Sequence, residues 1–135
     1  MDWILDRLAL GDRADGESAT PAQVHVCLNI AEATYVPKPG MTLLHMPVPD
    51  EVRLSAPVWA YLLVQMTAFL HRGQRVLVHC RLGKSRSPAL VCAYLIQCGY
   101  APTIALALAT SCRKEVAIHP ETWASVLDWQ RGLYP

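Results

Sequence analysis

One stretch constrains this chain more than any other: the apolar run Val76-Leu77-Val78 passes through His79-Cys80-Arg81-Leu82-Gly83-Lys84-Ser85 into Arg86-Ser87-Pro88 and a second apolar run. A strand with no polar face belongs in the middle of a sheet covered on both sides, which points to a mostly parallel sheet. The second run, from about Arg86 to Cys98, reads as a helix. Pro88 is tolerated in its first turn, and Gly99 is its stop. A strand, a short loop and a helix start in that order aim backbone N–H groups and the positive end of the helix dipole at one point. Gly83 lets the loop curl and the backbone approach closely. The loop is therefore an anion cradle formed by residues 81–86, with Cys80 at its floor.

The rest of the chain supports the same architecture. Trp3–Leu5 and Leu8–Leu10 read as short strands, and Asp12–Pro21, polar and glycine-containing, as loop. Val24–Ile30 and Met41–Met46 read as further strands, separated by a loop with two prolines and a glycine at 35–40. Pro47–Arg53 is an acidic loop. Ser55 is placed to cap a helix running to about His71, with Gly73 beyond it, and Arg75–His79 is the central strand. Helices follow at about Pro102–Cys112 and Pro120–Leu133. Strands alternating with helices predict an α/β domain spanning 1–135, with a central twisted sheet of four to five mostly parallel strands flanked by helices.

Composition narrows the function. The 135 residues are 53% hydrophobic and 17% charged with a net charge of +1, so no global field attracts nucleic acid and any anion selectivity must be local. No basic leader precedes an apolar core at the N-terminus. The longest apolar run, Ala56–Leu70, is too short for a membrane span. A cytoplasmic protein is expected. The cysteines Cys27, Cys80, Cys92, Cys98 and Cys112 are odd in number and lack CxxC spacing, which argues against both a zinc site and a disulfide framework. Cys27, Cys92 and Cys98 read as buried thiols, and Cys112 as less buried. His25, His45 and His71 show no ligand spacing. Trp59, Trp123 and Trp129 read as helix-packing residues.

Cys80 has the company of a nucleophile. The attacking form of cysteine is its thiolate, and an electropositive loop is the setting such chemistry uses. The thiolate can attack phosphorus to give a phosphocysteine. The planar fork of Arg86 can hold two phosphate oxygens at once, which lysine cannot do in the same way. Ser87 can donate a hydrogen bond to the sulfur as it leaves. His79 reads as a residue that orients the loop.

With these residues in place, HCRLGKSRSP resembles the signature loop of the cysteine-dependent protein tyrosine phosphatases. The Ser-Arg-Ser ending and the longer match RVLVHCRLGKSRSPALVCAYLI are similar to the compact, atypical dual-specificity branch. Val26–Ile30 resembles the family's Val-Leu-Asn-Val strand, HMPVPD its Ile-Pro-Val-x-Asp segment, and Arg113–Pro120 its Arg-to-Pro segment before the last helix. The resemblance implies a phosphatase sandwich with helices on both faces of the sheet. It also implies a general acid at Asp50, thirty positions before Cys80 in the matching segment, with Glu51 as its rival in the same loop. The implied reaction is hydrolysis of phosphotyrosine and phosphoserine or phosphothreonine in proteins or peptides, by a monomer and with no metal or organic cofactor. The short stretch between Asn29 and Met41 leaves little room for a deep phosphotyrosine wall.

Several residues leave alternatives open. Arg81 and Lys84 are ordinary charges or, as in phosphatases of phosphorylated lipids, cations for a second phosphate. A lipid phosphatase is thus the second reading, and a phosphate-binding module without turnover the third. Arg113 is either a surface charge or a contact for a second anion. Ile118-His119-Pro120-Glu121 departs from the family's Ile-x-Pro-Asn, and Glu121 reads as a first-turn helix acid. Cys27 reads as a core thiol, with trapping of an oxidised Cys80 as the alternative.

Overall fold

A computed structural model describes residues 1–133. The sheet is built from β1 (Asp2–Leu5), β2 (Leu8–Gly11), β3 (Val26–Asn29), β4 (Thr42–His45) and β5 (Val76–His79), in the spatial order β1-β2-β5-β3-β4. β1 and β2 form an antiparallel pair, and every other pairing is parallel. The apolar run 76–78 takes the centre, as its composition requires. Val76 stands opposite Leu8 on one side and Val26 on the other, while His79 stands between Gly11 and Asn29. The expected mostly parallel α/β sheet is thus present with five strands.

Side-chain alternation along the strands separates two cores. Leu8, Leu10, Val26, Leu28, Val76 and Val78 face the large one. Ala9, Cys27 and Leu77 face a small one, completed by Ala19 and Val24. Four helices cover the large core: α2 (Ala56–His71), α3 (Arg86–Gln97), α4 (Pro102–Cys112) and α5 (Pro120–Leu133). The expected helices on both faces are therefore distributed unevenly. The other face carries one six-residue helix, α1 (Arg13–Ser18), together with loop residues.

The segment containing α1 reads as loop in the sequence, and the structure corrects this. Asp12 accepts from the Asp15 amide at 2.9 Å, and Asp15 returns a bond from the Asp12 amide at 3.0 Å. This is a reciprocal cap made with Asp where Glu or Gln is usual. Gly16 inside the helix packs so tightly on Tyr35 and His79 that no Cβ fits there. Tertiary contact makes a helix from a local sequence that would not hold one.

α3 is the central helix. From Arg86 to Ile96 only Tyr94 escapes full burial. Trp59 of α2 is fully buried and donates through its indole N–H to the Ser125 hydroxyl of α5 at 3.1 Å. Ser55 occupies the N-cap of α2 with extended backbone but makes no side-chain cap bond. Cys98, expected inside, is exposed just beyond the end of α3. Among the described residues no helix is long and apolar enough to cross a membrane.

Trp59→Ala is expected to lower the unfolding free energy by about 3–5 kcal/mol, measured by urea titration. Trp59→Phe, which keeps most of the buried area, should cost less than half of that.

Candidate active site

The loop from Cys80 to Ser85 leaves the central strand and enters α3 with its carbonyls facing outward. Cys80 O lies 3.1 Å from His79 Nδ1. Arg81 O accepts from the Arg13 amide at 3.1 Å, Leu82 O and Gly83 O from the Arg113 guanidinium at 3.1 and 2.9 Å, and Lys84 O from the Ala117 amide at 2.8 Å. In a trans peptide the C=O and the following N–H point in opposite directions. Five anchored carbonyls therefore turn the N–H groups of residues 81–85 toward the inside of the loop, where none donates to another described residue. The first turn of α3 adds the positive end of its dipole. The loop thus presents its amides and the helix start to one point, as an anion cradle would.

Arg113 is neither a surface charge nor a free contact for a second anion. It is buried and spans the loop carbonyls and Asp2, whose carboxylate it meets at 2.9 Å. The segment after α4 braces the loop a second time: the His119 amide donates to Ser85 Oγ at 2.9 Å. Gly83 has φ +68, and a Cβ there would stand 2.6 Å from Gly11 O and 2.7 Å from Arg113 Nη2. Only glycine fits.

Cys80 and Ser87 meet at the floor, with Sγ and Oγ 3.1 Å apart and both side chains buried. A thiolate has no proton to give, so against that form the hydroxyl is the donor. Arg86 is 3% exposed. Its Nη1 donates to Glu32 Oε1 at 2.7 Å and to Val48 O at 3.1 Å. That leaves the Nε–Nη2 edge for the cleft, with Asp50 Oδ1 3.5 Å from Nε. Asp50 Oδ1 also accepts from the Glu51 amide at 2.9 Å, and Glu51 holds φ +58, a left-handed backbone. Of the two rival acids, Asp50 is the one beside the arginine. Glu121 instead pairs with Arg53 at 2.8 Å in the first turn of α5.

Glu32 was not legible as a site residue, because an exposed glutamate after a strand carries no signal until Arg86 folds against it. Backbone hydrogen bonding and the Arg86 guanidinium hold its carboxyl below the usual range. Tyr35 was missed for the same reason. Its hydroxyl lies 2.7 Å from His79 Nε2. Because the Cys80 carbonyl can only accept, His79 carries its proton on Nδ1, and Tyr35 donates to Nε2. Burial pushes the His79 imidazole down from its ordinary value of 6.5 and keeps it neutral.

Cys27 lies in the small core, with its Sγ 3.9 Å from Gly16 O and its thiol pushed up to about 11 by burial. Cys80 belongs to the large core on the other face, so Cys27 is not placed to trap it. Cys92, also buried, is pushed up to about 12. Among the described residues no group of His, Cys, Asp or Glu could hold a metal ion.

Above the floor is an open cleft of about 720 Å³. Arg81, Lys84 and Arg86 line it together with Glu32, Asp50 and Glu51.

A loop of inward-facing amides over a buried thiol, on a mostly parallel sheet, fits the class of cysteine-dependent phosphatases. Residues 12–131 match the family model for the dual specificity phosphatase catalytic domain, and the chain belongs to that family. It is a dual-specificity phosphatase enzyme. Human dual specificity phosphatase 28 is 30% identical over 96% of this chain and 77% of its own length. The crystal structure of human DUSP28 superposes with a TM-score of 0.89 at 24% identity, covering 98% of this chain and 97% of that one. PTPMT1 in complex with PI(5)P has the same fold, with a TM-score of 0.78 at 19% identity over 96% and 94% of the two chains.

Gly83→Ala is expected to leave the protein folded but to weaken binding of inorganic phosphate or tungstate at least tenfold, read by calorimetry, because strained backbone and the Gly11 carbonyl both displace the loop. A second expectation concerns pH. Folded His79 takes up its proton at lower pH than the unfolded chain, whose imidazole has the ordinary value of 6.5. Stability should therefore fall as pH drops below that value, by at most about 1.4 kcal/mol per pH unit, and stay level above it. Denaturant titrations between pH 8 and 5 check this, and His79→Asn should flatten that slope.

Proposed function

We propose that residues 1–135 act as one domain that hydrolyses phosphate monoesters through a phosphocysteine on Cys80. The observation that carries this is the Cys80–Ser87 contact of 3.1 Å beneath a ring of inward-facing amides. The non-bridging oxygens of the phosphoryl group take the amides of residues 81–86, including those of Arg81, Leu82, Gly83, Lys84 and Ser85. The Nε–Nη2 edge of Arg86 clamps two of those oxygens. Sγ attacks phosphorus from below, and the charge that spreads over the equatorial oxygens in the transition state meets fixed donors. Asp50 gives its proton to the leaving oxygen. It then takes one from the water that attacks the phosphocysteine, while the Ser87 hydroxyl donates to the departing sulfur. His79 holds the Cys80 carbonyl outward. The residues named need no metal or organic cofactor.

The substrate class proposed is phosphotyrosine with phosphoserine and phosphothreonine in proteins, met by a monomer in the cytoplasm. The open cleft and the short connection after β3 support entry of short as well as long phosphorylated side chains. A phosphorylated lipid is the second reading, favoured by exposed Arg81 and Lys84 on the rim and by the PI(5)P complex of the PTPMT1 relative. Charge supports the protein reading. The three cations of the cleft face three carboxylates, so little positive field is left over for a second phosphate or an anionic surface.

Phosphate release from matched phosphotyrosine, phosphothreonine and phosphoserine peptides and from phosphoinositide and phosphatidylglycerophosphate vesicles tests this. Cys80→Ser should abolish turnover. Asp50→Asn should lower kcat on peptides by about 10²–10⁴ and by much less on a nitrophenyl ester, whose leaving group needs no proton. Phosphate binding without release from any substrate would leave a binding module.

A further inference from the structure

A second hollow of about 390 Å³ adjoins the cleft. Leu106 and Thr110 of α4, Val116, Ile118 and Trp123 of α5 form its walls. Ala117, Ile118 and Pro120 line both hollows, so one short ridge separates them. That ridge is fixed to the cradle by the Ala117 amide on Lys84 O at 2.8 Å and the His119 amide on Ser85 Oγ at 2.9 Å. The groove therefore keeps a constant position relative to any phosphoryl group held over Cys80. Leu106, Val116, Ile118 and Trp123 pack on the large core with one side and remain half-exposed on the other. A bound apolar side chain would cover those outer sides, and a rigid aromatic such as Trp123 is a common anchor for such contact.

We propose that this groove takes an apolar side chain of a polypeptide substrate, flanking the phosphorylated residue within about three positions. The inference rests on the phosphatase reading above. An extended peptide advances about 3.3 Å per residue, so three positions reach about 10 Å from the phosphorylated residue. The cradle binds the phosphoryl group, which every substrate has in common. The groove reads what differs between substrates. A phospholipid acyl chain is the other apolar occupant to weigh, but Glu32, Asp50 and Glu51 on the adjoining rim offset the cations Arg81 and Lys84 that would hold an anionic bilayer.

The test compares phosphotyrosine peptides in which each of the three positions on either side is Leu, Trp, Ser or Asp. Wild type is run beside Thr110→Arg and Thr110→Trp. Thr110 is exposed, lines the groove and does not line the cleft, so either bulky residue should fill the groove from outside. At one flanking position Leu or Trp should raise kcat/KM about tenfold over Ser or Asp, and both Thr110 variants should reduce that ratio to about twofold or less. Turnover of nitrophenyl phosphate and the melting temperature should be unchanged in both variants. A wild type that hydrolyses nitrophenyl phosphate with no flank preference would overturn the proposal. So would a preference that survives both variants, or loss of nitrophenyl phosphate turnover in them. Hydrolysis of lipid phosphate monoesters that depends on acyl length, and loses that dependence in the Thr110 variants, would reassign the groove to lipid. No nitrophenyl phosphate turnover by wild type would remove the phosphatase reading itself, and this inference with it.

Discussion

Everything at the site depends on five successive carbonyls, those of residues 80–84, being held on the outside of a six-residue loop. Amide dipoles converge only if something restrains their carbonyl ends. Here the restraints come from four places: His79, the start of α1, the buried Arg113 and the segment after α4. Elements from both ends of the chain thus meet at one loop. The donors are fixed before any anion arrives, so little reorganisation opposes binding.

The buried arginines divide the electrostatic work. Arg113 is committed to backbone carbonyls and to Asp2, so its charge shapes the loop and is compensated locally. Arg86 is only half committed. Glu32 and Val48 fix one nitrogen, which orients the planar group and leaves its other edge toward the cleft. A buried guanidinium with one partner removed is costly, so the Glu32 pairing stabilises the fold while aiming Arg86. The carboxylate of Asp50 near the free edge adds to a lining that holds charges of both signs.

The scaffold explains why these positions are reproducible. Arg86 and Ser87 open a helix that is buried along nearly its whole length, between the sheet and the helices α2, α4 and α5. Interiors packed at crystal-like density do not deform gradually, so the floor of the site moves little. The Asp50–Glu51 turn, by contrast, is exposed and carries a left-handed non-glycine residue. Rigid floor and exposed acid loop are complementary properties of one cleft.

The linear sequence by itself determined the elements whose signals are local. The run Val76–Val78 had to be a central strand because it has no polar face. The glycine-bearing loop before a helix start had to turn its amides to one point. Gly73 and Gly99 marked helix ends through their backbone preferences. Asp50 was singled out only through its resemblance to a family segment. What tertiary structure alone decided were the partners. Arg113 reads as a surface charge until the loop carbonyls fold onto it, and Glu32 and Tyr35 until Arg86 and His79 do. The residues 13–18 read as loop, because polar residues and a glycine favour helix only when a reciprocal cap and a close contact with Tyr35 and His79 outweigh propensity. Side-chain alternation in β3 put Cys27 on the face away from Cys80, which proximity of strands could not reveal. Local signals act over a few residues and survive in the sequence. Long-range hydrogen bonds join residues up to 111 positions apart, as Arg113 and Asp2 are, and no spacing rule encodes them.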